Sequence, residues 1–346
     1  MAKSNNFKAI DLAKFIFAIL VVGIHASPLG NYSEFANFIF VDIIAGLAVP
    51  FFFMASCYFF FSKLIFENGR IKKCKENFAR LKKYFVRILL LYVLWSAVYL
   101  LWQIPEWINT GWFSVGAFAD YAKSALVSNS YYHLWYILSL LYVIPVMYFL
   151  LRFINTKFFV ILMAVVYVFG VLFYTFGEQY APEILVKIWK FIPTTTVSFL
   201  LIMPSVTPCL FIDRIKLNKA HSLLIFVIFY ILFIIESLFF YFFTERSANS
   251  QYAFMIVPAI FFLFLWLKGC NLNISSKTSA MLRNTSSVVY FVHPMVINLF
   301  GLIMAREEIN GILYFAIIAL LSLATGFALS FANMKLKNNK VLSYFM

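Results

Sequence analysis

The stretch Ala9-Ile10-Asp11-Leu12-Ala13-Lys14-Phe15-Ile16-Phe17-Ala18-Ile19-Leu20-Val21-Val22-Gly23-Ile24-His25 decides the fold class. It is apolar apart from three ionisable side chains, and a helix of roughly 20 such residues crosses a ~30 Å hydrocarbon core. An ionisable group near the bilayer centre costs roughly 2.5 kcal/mol or more, so Asp11, Lys14 and His25 mark a candidate site. Eleven residues at ~100° each bring Lys14 and His25 to within about 20° of one another on one helix face, ~16 Å apart along the axis. A cation at the cytosolic mouth with a titratable imidazole further in suits a long anionic ligand.

The rest of the 346-residue chain has the same character, with 64% hydrophobic and 21% aromatic residues and a mean hydropathy of +0.89. That leaves too little polar side chain to cover a soluble domain. The expected class is an all-α integral membrane protein, one transmembrane domain over residues 1–346. Apolar runs at about 8–29, 38–62, 84–104, 133–151, 157–177, 191–211, 221–243, 251–267, 286–305 and 311–333 predict ten membrane helices. The first carries Lys14 and His25 and is followed by many more, so it reads as an uncleaved helix rather than a secretory signal. The longer connections are a basic stretch from Lys63 to Arg87 and a segment from Pro105 to Tyr132. Trp107, Trp112 and Phe113 suggest that the latter lies on the membrane surface.

The net charge of +14 is a topology signal rather than a nucleic-acid footprint, because the basic residues sit in short segments between apolar runs. With both termini in the cytosol, all but five of the 28 Lys and Arg residues fall on the inner side; Lys123, Lys187, Lys190, Arg246 and Arg306 fall outside. Glu34, Glu106, Asp120, Glu178, Glu183, Glu245, Glu307 and Glu308 lean outward. The four cysteines fall in spans or on the cytosolic side, so no disulfide is expected. No repeat and no pair of Gly/Pro-broken spans is visible.

Neutral imidazole is the side chain best matched to proton transfer near pH 7, and that makes His25 the expected general base or transient acyl carrier; a plain hydrogen bond to a neighbouring helix is the bland alternative. Asp11 and Lys14, one turn apart, read either as an i,i+3 pair with a snorkelling lysine or as the mouth of a site for an anion. Arg80, Lys83 and Arg87 run at helical spacing into the third span, where they suit anionic lipid or the phosphates of a nucleotide-bearing donor. His133 and Trp135 open the fourth span. Tyr290 and His293 lie in the ninth, about 10 Å from its expected cytosolic end, next to Pro294, which frees a backbone carbonyl. Glu236 is a carboxylate in the seventh span with no partner nearby in sequence, hence a candidate for function or a protonated, hydrogen-bonded side chain.

Four blocks together resemble the acyltransferase-3 family of bacterial multi-span membrane acyltransferases. They are Asp11-x-x-Lys14-x10-His25, Phe52-x-x-x-Ser56-x-Tyr58, His133-Leu134-Trp135-Tyr136 with Tyr142 and Pro145, and Tyr290-x-x-His293-Pro294. The run Ile24-His25-Ala26-Ser27-Pro28-Leu29 is especially similar to the membrane domain attached to vancomycin-resistance serine racemases. The resemblance implies ten transmembrane helices and an acyl-CoA donor, usually acetyl-CoA, with no metal. It implies a hydroxyl acceptor on a surface polysaccharide or its lipid-linked precursor, and a place in the bacterial inner membrane. Carried over, His25 is the catalytic residue; Asp11, Lys14, Arg80, Lys83 and Arg87 face the donor; His133, Trp135, Glu236, Tyr290 and His293 line the path of the acceptor. Lys14 stands where most members have arginine, which keeps the charge and loses the bidentate fork, and Cys57 stands where most have glycine. The competing expectation is a transporter or binding module for a small polar solute such as serine, using His25 and Glu236 as a proton relay. Membrane lipids are expected partners and nucleic acid is not.

Overall fold

The computed structural model describes residues 7–243, 253–304, 306 and 309–336, the side chains of 177–179 excepted. Lys3, Lys337 and Lys340, expected on the inner side, and Glu245, Arg246, Glu307, Glu308 and the Glu178 side chain, expected on the outer side, lie outside them. The described chain is helical apart from turns and one two-stranded hairpin. Its elements are α1 (Lys8–Ala26), α2 (Glu34–Phe61), β1 (Phe66–Glu67), β2 (Arg70–Ile71), α3 (Lys75–Asn109), α4 (Val115–Val127) and α5 (Trp135–Phe153). They continue with α6 (Thr156–Tyr180), α7 (Glu183–Phe191), α8 (Pro193–Phe211), α9 (Lys219–Phe243), α10 (Ile256–Lys268), α11 (Ser276–Gly301) and α12 (Gly311–Lys335). Eight of these, α1, α2, α3, α5, α6, α8, α9 and α12, are long and apolar enough to cross a membrane.

The remaining two expected spans coincide with α10 and α11. At 13 residues α10 rises about 20 Å, short of a full hydrocarbon core. α11 is long enough at 26 residues, but its first turns are polar, because it begins ten residues before the expected position 286. The cause is local: the Ser275 side chain accepts a hydrogen bond from the Thr278 N–H at 3.0 Å and caps the helix there. His293 therefore sits about 26 Å along its helix, not about 10 Å. α3 likewise begins at Lys75, so most of the basic stretch expected as a connection is helix. The remainder is the hairpin, pinned by buried Asn77, which accepts from Ile65 N–H and donates to the Ile65 and Lys72 carbonyls, each at 2.9 Å.

Two spans change their winding. In α2, residues Ile39–Ile44 take wide i→i+5 turns and Ala45–Leu47 a tight one, just ahead of Pro50, whose missing N–H disturbs the ladder. α8 does the same over Ser198–Ile202 and Thr207–Phe211, around Pro204 and Pro208. Sequence reading did not anticipate this, although both remain helical throughout rather than breaking into half-helices.

The chain divides into two compact units, Met1–Phe52 with Ile215–Met346, and Phe53–Arg214. In the first, α1, α11 and α12 pack against one another. Asp11 meets Ser279 and His25 meets His293, and both pairs are separated by 268 positions. α1 and α11 therefore run parallel and in register over 14 residues, about 21 Å of axis. α12 runs antiparallel to them: Phe315 meets Phe40 edge-on beside Gly23 near one end, and Phe327 meets Phe15 at a tilt near the other. Gly326 lets α12 approach α11 closely, since a Cβ there would lie 2.9 Å from Thr285 Cγ2, and Thr285 donates to Ser330 at 3.1 Å. In the second unit, Tyr136 and Ser56 share a 2.9 Å hydrogen bond, and Ser198 donates to Ser139 at 2.7 Å. Tyr58 donates to Asp213 at 2.9 Å.

Candidate functional site

The seam between α1 and α11 carries polar chemistry at both ends. At the start of α1, Asp11 is buried, with 5% of its surface exposed. Its Oδ2 accepts from Ser279 Oγ at 2.6 Å and from Arg283 Nη1 at 3.1 Å. Ser279 and Arg283 are four residues apart and share a face of α11, so one turn of that helix satisfies the carboxylate. The N-terminal end of α1 adds the partial positive charge of its unpaired N–H groups. Lys14, half-buried one turn further on, lies within Coulomb reach of both Asp11 and Arg283. Two cations thus accompany one carboxylate in this cluster.

At the other end, the His25 ring stacks on His293, with centroids 5.1 Å apart and an interplanar angle of 27°. His293 is fully buried, and its Nδ1 lies 3.0 Å from the Val289 carbonyl oxygen. A carbonyl only accepts, so Nδ1 carries the hydrogen, and in the neutral ring the lone pair is on Nε2. Pro294 has no N–H, and the Tyr290 carbonyl one turn earlier loses its helical donor beside the same ring. The Tyr290 ring is 6.4 Å from that of His293.

His25 is the penultimate residue of α1, and that helix end is held firmly. Ser27 closes it in the left-handed region at φ 44°, its N–H donating to the Gly23 carbonyl at 2.9 Å. Arg306 Nη2 donates to the carbonyls of Ala26 at 2.8 Å and Ser27 at 3.3 Å, placing a cation at the negative end of the helix dipole.

Glu236 has a partner that its sequence neighbourhood does not reveal. Its Oε1 accepts from Phe254 N–H at 2.7 Å and its Oε2 from Met255 N–H at 2.8 Å, so it caps the start of α10 from the side of α9. The hydrogen-bonded side chain expected as the alternative to a functional role thus has two backbone donors at the start of another helix. Glu236→Ala would orphan both donors, at about 1–3 kcal/mol each if they stay dry. A lower melting temperature in detergent, with the donor KM unchanged, is the expected outcome.

The other sequence candidates belong to the second unit. Arg80, Lys83 and Arg87 are exposed along the basic turns of α3. His133 precedes α5 and is 2% exposed, ringed by Tyr99, Tyr131 and Tyr132 at centroid distances of 5.0, 5.8 and 5.6 Å. Trp135 packs on Phe53 at 5.7 Å. Among the described residues no group of three His, Cys, Asp or Glu side chains is placed to hold a metal ion. Sequence reading missed Ser279, Arg283 and Arg306. The signal for the first two was available in the Ser275 cap, which puts Arg283 eight residues inside a helix rather than in a cytosolic connection.

Comparison with known proteins places this seam in a family. The acyltransferase-3 family, described as an acyltransferase domain, matches residues 7–331. Two curated relatives from Enterococcus faecalis, both named amino-acid racemase, are similar to the chain. One is 28% identical over 181 residues, 52% of this chain and 23% of the relative; the other is 27% identical over 305 residues, 83% and 40% respectively. The chain thus spans less than half the length of the curated relatives it matches. No solved structure matches. The family match takes in α1, α11 and nearly all of α12, the helices that carry and pack the paired histidines and the Asp11 cluster, and the chain belongs to the acyltransferase-3 family.

Proposed function

We propose that this chain is a membrane-bound O-acyltransferase of the bacterial inner membrane, with ten spans and both termini cytosolic. It moves an acyl group, acetyl in the simplest case, from cytosolic acyl-CoA to a hydroxyl of a surface glycan or its lipid-linked precursor. The observation that carries this reading is the in-register seam, a charged cluster at one end and a histidine pair about 21 Å further along. A donor with phosphates at one end and a thioester at the other of a long flexible arm has the same distribution of chemistry. Within the first unit, Lys14 meets the phosphates and Tyr290 belongs to the acceptor's path.

In the transfer, His25 takes the proton of the acceptor hydroxyl as its oxygen attacks the thioester carbonyl. The tetrahedral oxyanion then collapses, the C–O ester bond stays and the C–S bond breaks. The CoA thiolate leaves and recovers the proton from the His25 imidazolium, which returns the ring to neutrality. His293 supports the face of that ring.

Purified protein is melted in detergent with acetyl-CoA, free CoA and a CoA-free acetyl donor, for wild type and Lys14→Ala. A ligand at 100 times its Kd stabilises the native state by about 2.7 kcal/mol. We expect a rise in melting temperature with both CoA compounds, smaller in Lys14→Ala, and none with the CoA-free donor. No response at millimolar concentration would sink the donor assignment. The second reading, transport or binding of an amino acid such as serine, is favoured by the name amino-acid racemase carried by both relatives. Counterflow of labelled serine in vesicles lacking any CoA compound would support it instead.

A further inference from the structure

We propose that Arg283 is a phosphate-binding residue at the charged end of the seam, and that Asp11 positions it. The guanidinium has five N–H donors in a planar fork. Among the described residues, Asp11 is the side-chain partner of Arg283, through Nη1, while 51% of the arginine side chain is exposed. Asp11 itself is 7% exposed by side chain and is held by Ser279 through the same oxygen. The arrangement is asymmetric: the anion is buried and fully engaged, whereas the cation is tied at one corner and open at the others.

Charge points the same way. Asp11, Lys14 and Arg283 together sum to one positive charge, so the cluster attracts an anion after its own carboxylate has been neutralised. The fork suits an anion that presents two oxygens side by side, and Lys14 adds a point charge one turn along α1. The ligand class is a phosphate mono- or diester. Arg283 lies ten residues, about 15 Å of axis, before His293 on α11 and about 80° round the helix from it. The identity of the ligand as a nucleotide-bearing donor rests on the acyl-transfer reading; the phosphate site does not. Two sources supply such a phosphate, that donor and a lipid headgroup, and they separate experimentally.

Wild type, Arg283→Gln, Arg283→Lys, Asp11→Asn and the charge-balanced double variant Asp11→Asn/Arg283→Gln are purified in detergent. Affinities are measured for acetyl-CoA, for adenosine 3′,5′-bisphosphate and for inorganic pyrophosphate. Melting is compared in nanodiscs of phosphatidylcholine with and without phosphatidic acid. We expect Arg283→Gln and the double variant to raise the Kd of soluble phosphates about tenfold, a loss typical of a charge-assisted contact. Arg283→Lys should recover part of it, and Asp11→Asn should lose a few-fold because the fork is no longer held. At saturating donor, kcat of Arg283→Gln stays within about twofold of wild type, the signature of ground-state binding rather than of chemistry. The double variant removes both charges, so a general folding defect from one unpaired charge is absent from it.

If wild type ignores soluble phosphates yet gains stability from phosphatidic acid in an Arg283-dependent way, the phosphate site stands, its ligand is lipid, and the acyl-CoA reading fails separately. If the variants and wild type respond alike to every phosphate, soluble or lipid, Arg283 is a structural partner of Asp11 and the proposal is overturned.

Discussion

His25→Ala is expected to lower kcat for acyl transfer by about 10²–10⁴ while leaving the donor Kd within about twofold. The ring sits at the end of α1, where Ser27 and Arg306 hold the backbone and His293 holds the ring face. Loss of the imidazole removes the acceptor for the hydroxyl proton without touching Asp11 or Lys14, 14 and 11 residues away. The pH dependence has a definite sign. Protonation removes the lone pair that receives the proton, so the wild-type rate falls on the acid side, and the residual rate of His25→Ala loses that limb. Transfer assays on protein of verified melting temperature, run across pH at saturating donor, measure both effects. Full activity in His25→Ala with normal expression would rule out this mechanism.

The second large effect concerns His293. Three replacements separate what its ring does. His293→Phe keeps a flat face for His25 and loses the Nδ1–H; His293→Asn keeps a donor near the Val289 carbonyl and loses the face; His293→Ala loses both. The Val289 carbonyl retains its helical N–H in all three, so the hydrogen bond is the smaller loss. The fully buried ring also fills space, and its deletion opens a cavity costing about 2–5 kcal/mol by analogy with other large-to-small changes. We expect kcat to fall about tenfold or more in the Ala and Asn variants and to recover most of the way in Phe, with the donor KM unchanged throughout. Wild-type kcat in a stably folded His293→Ala would show that the stack has no part in the reaction. A fall in melting temperature with unchanged kcat across the series would assign His293 to packing alone.

How far the residues announced this arrangement depends on the range of the physics involved. The membrane class and the first span are local or compositional, and are legible directly in the residues. Each expected apolar run coincides with a helix. Helix starts were less visible: the Ser275 cap was passed over because the turns it opens are polar, and hydropathy is blind to a polar beginning. The winding changes in α2 and α8 surround Pro50, Pro204 and Pro208, but a missing N–H does not by itself say whether a helix breaks, kinks or rewinds. Glu236 was recognised as unusual and its partner was not, because the Phe254 and Met255 amides belong to a different helix end.

The sequence alone determined that this chain lives in a membrane and that its first helix carries charge where hydrocarbon is expected, because burying or exposing apolar side chains is decided residue by residue. It also determined that this helix carries a single imidazole, His25. Only the tertiary structure decided that Asp11 holds Arg283, that His25 stacks on His293, and that Glu236 caps α10. Those pairings join residues 272, 268 and about 18 positions apart. Periodicity tells which face of a helix a residue occupies; which other helix meets that face, in which direction and in what register, is settled by packing of the whole bundle.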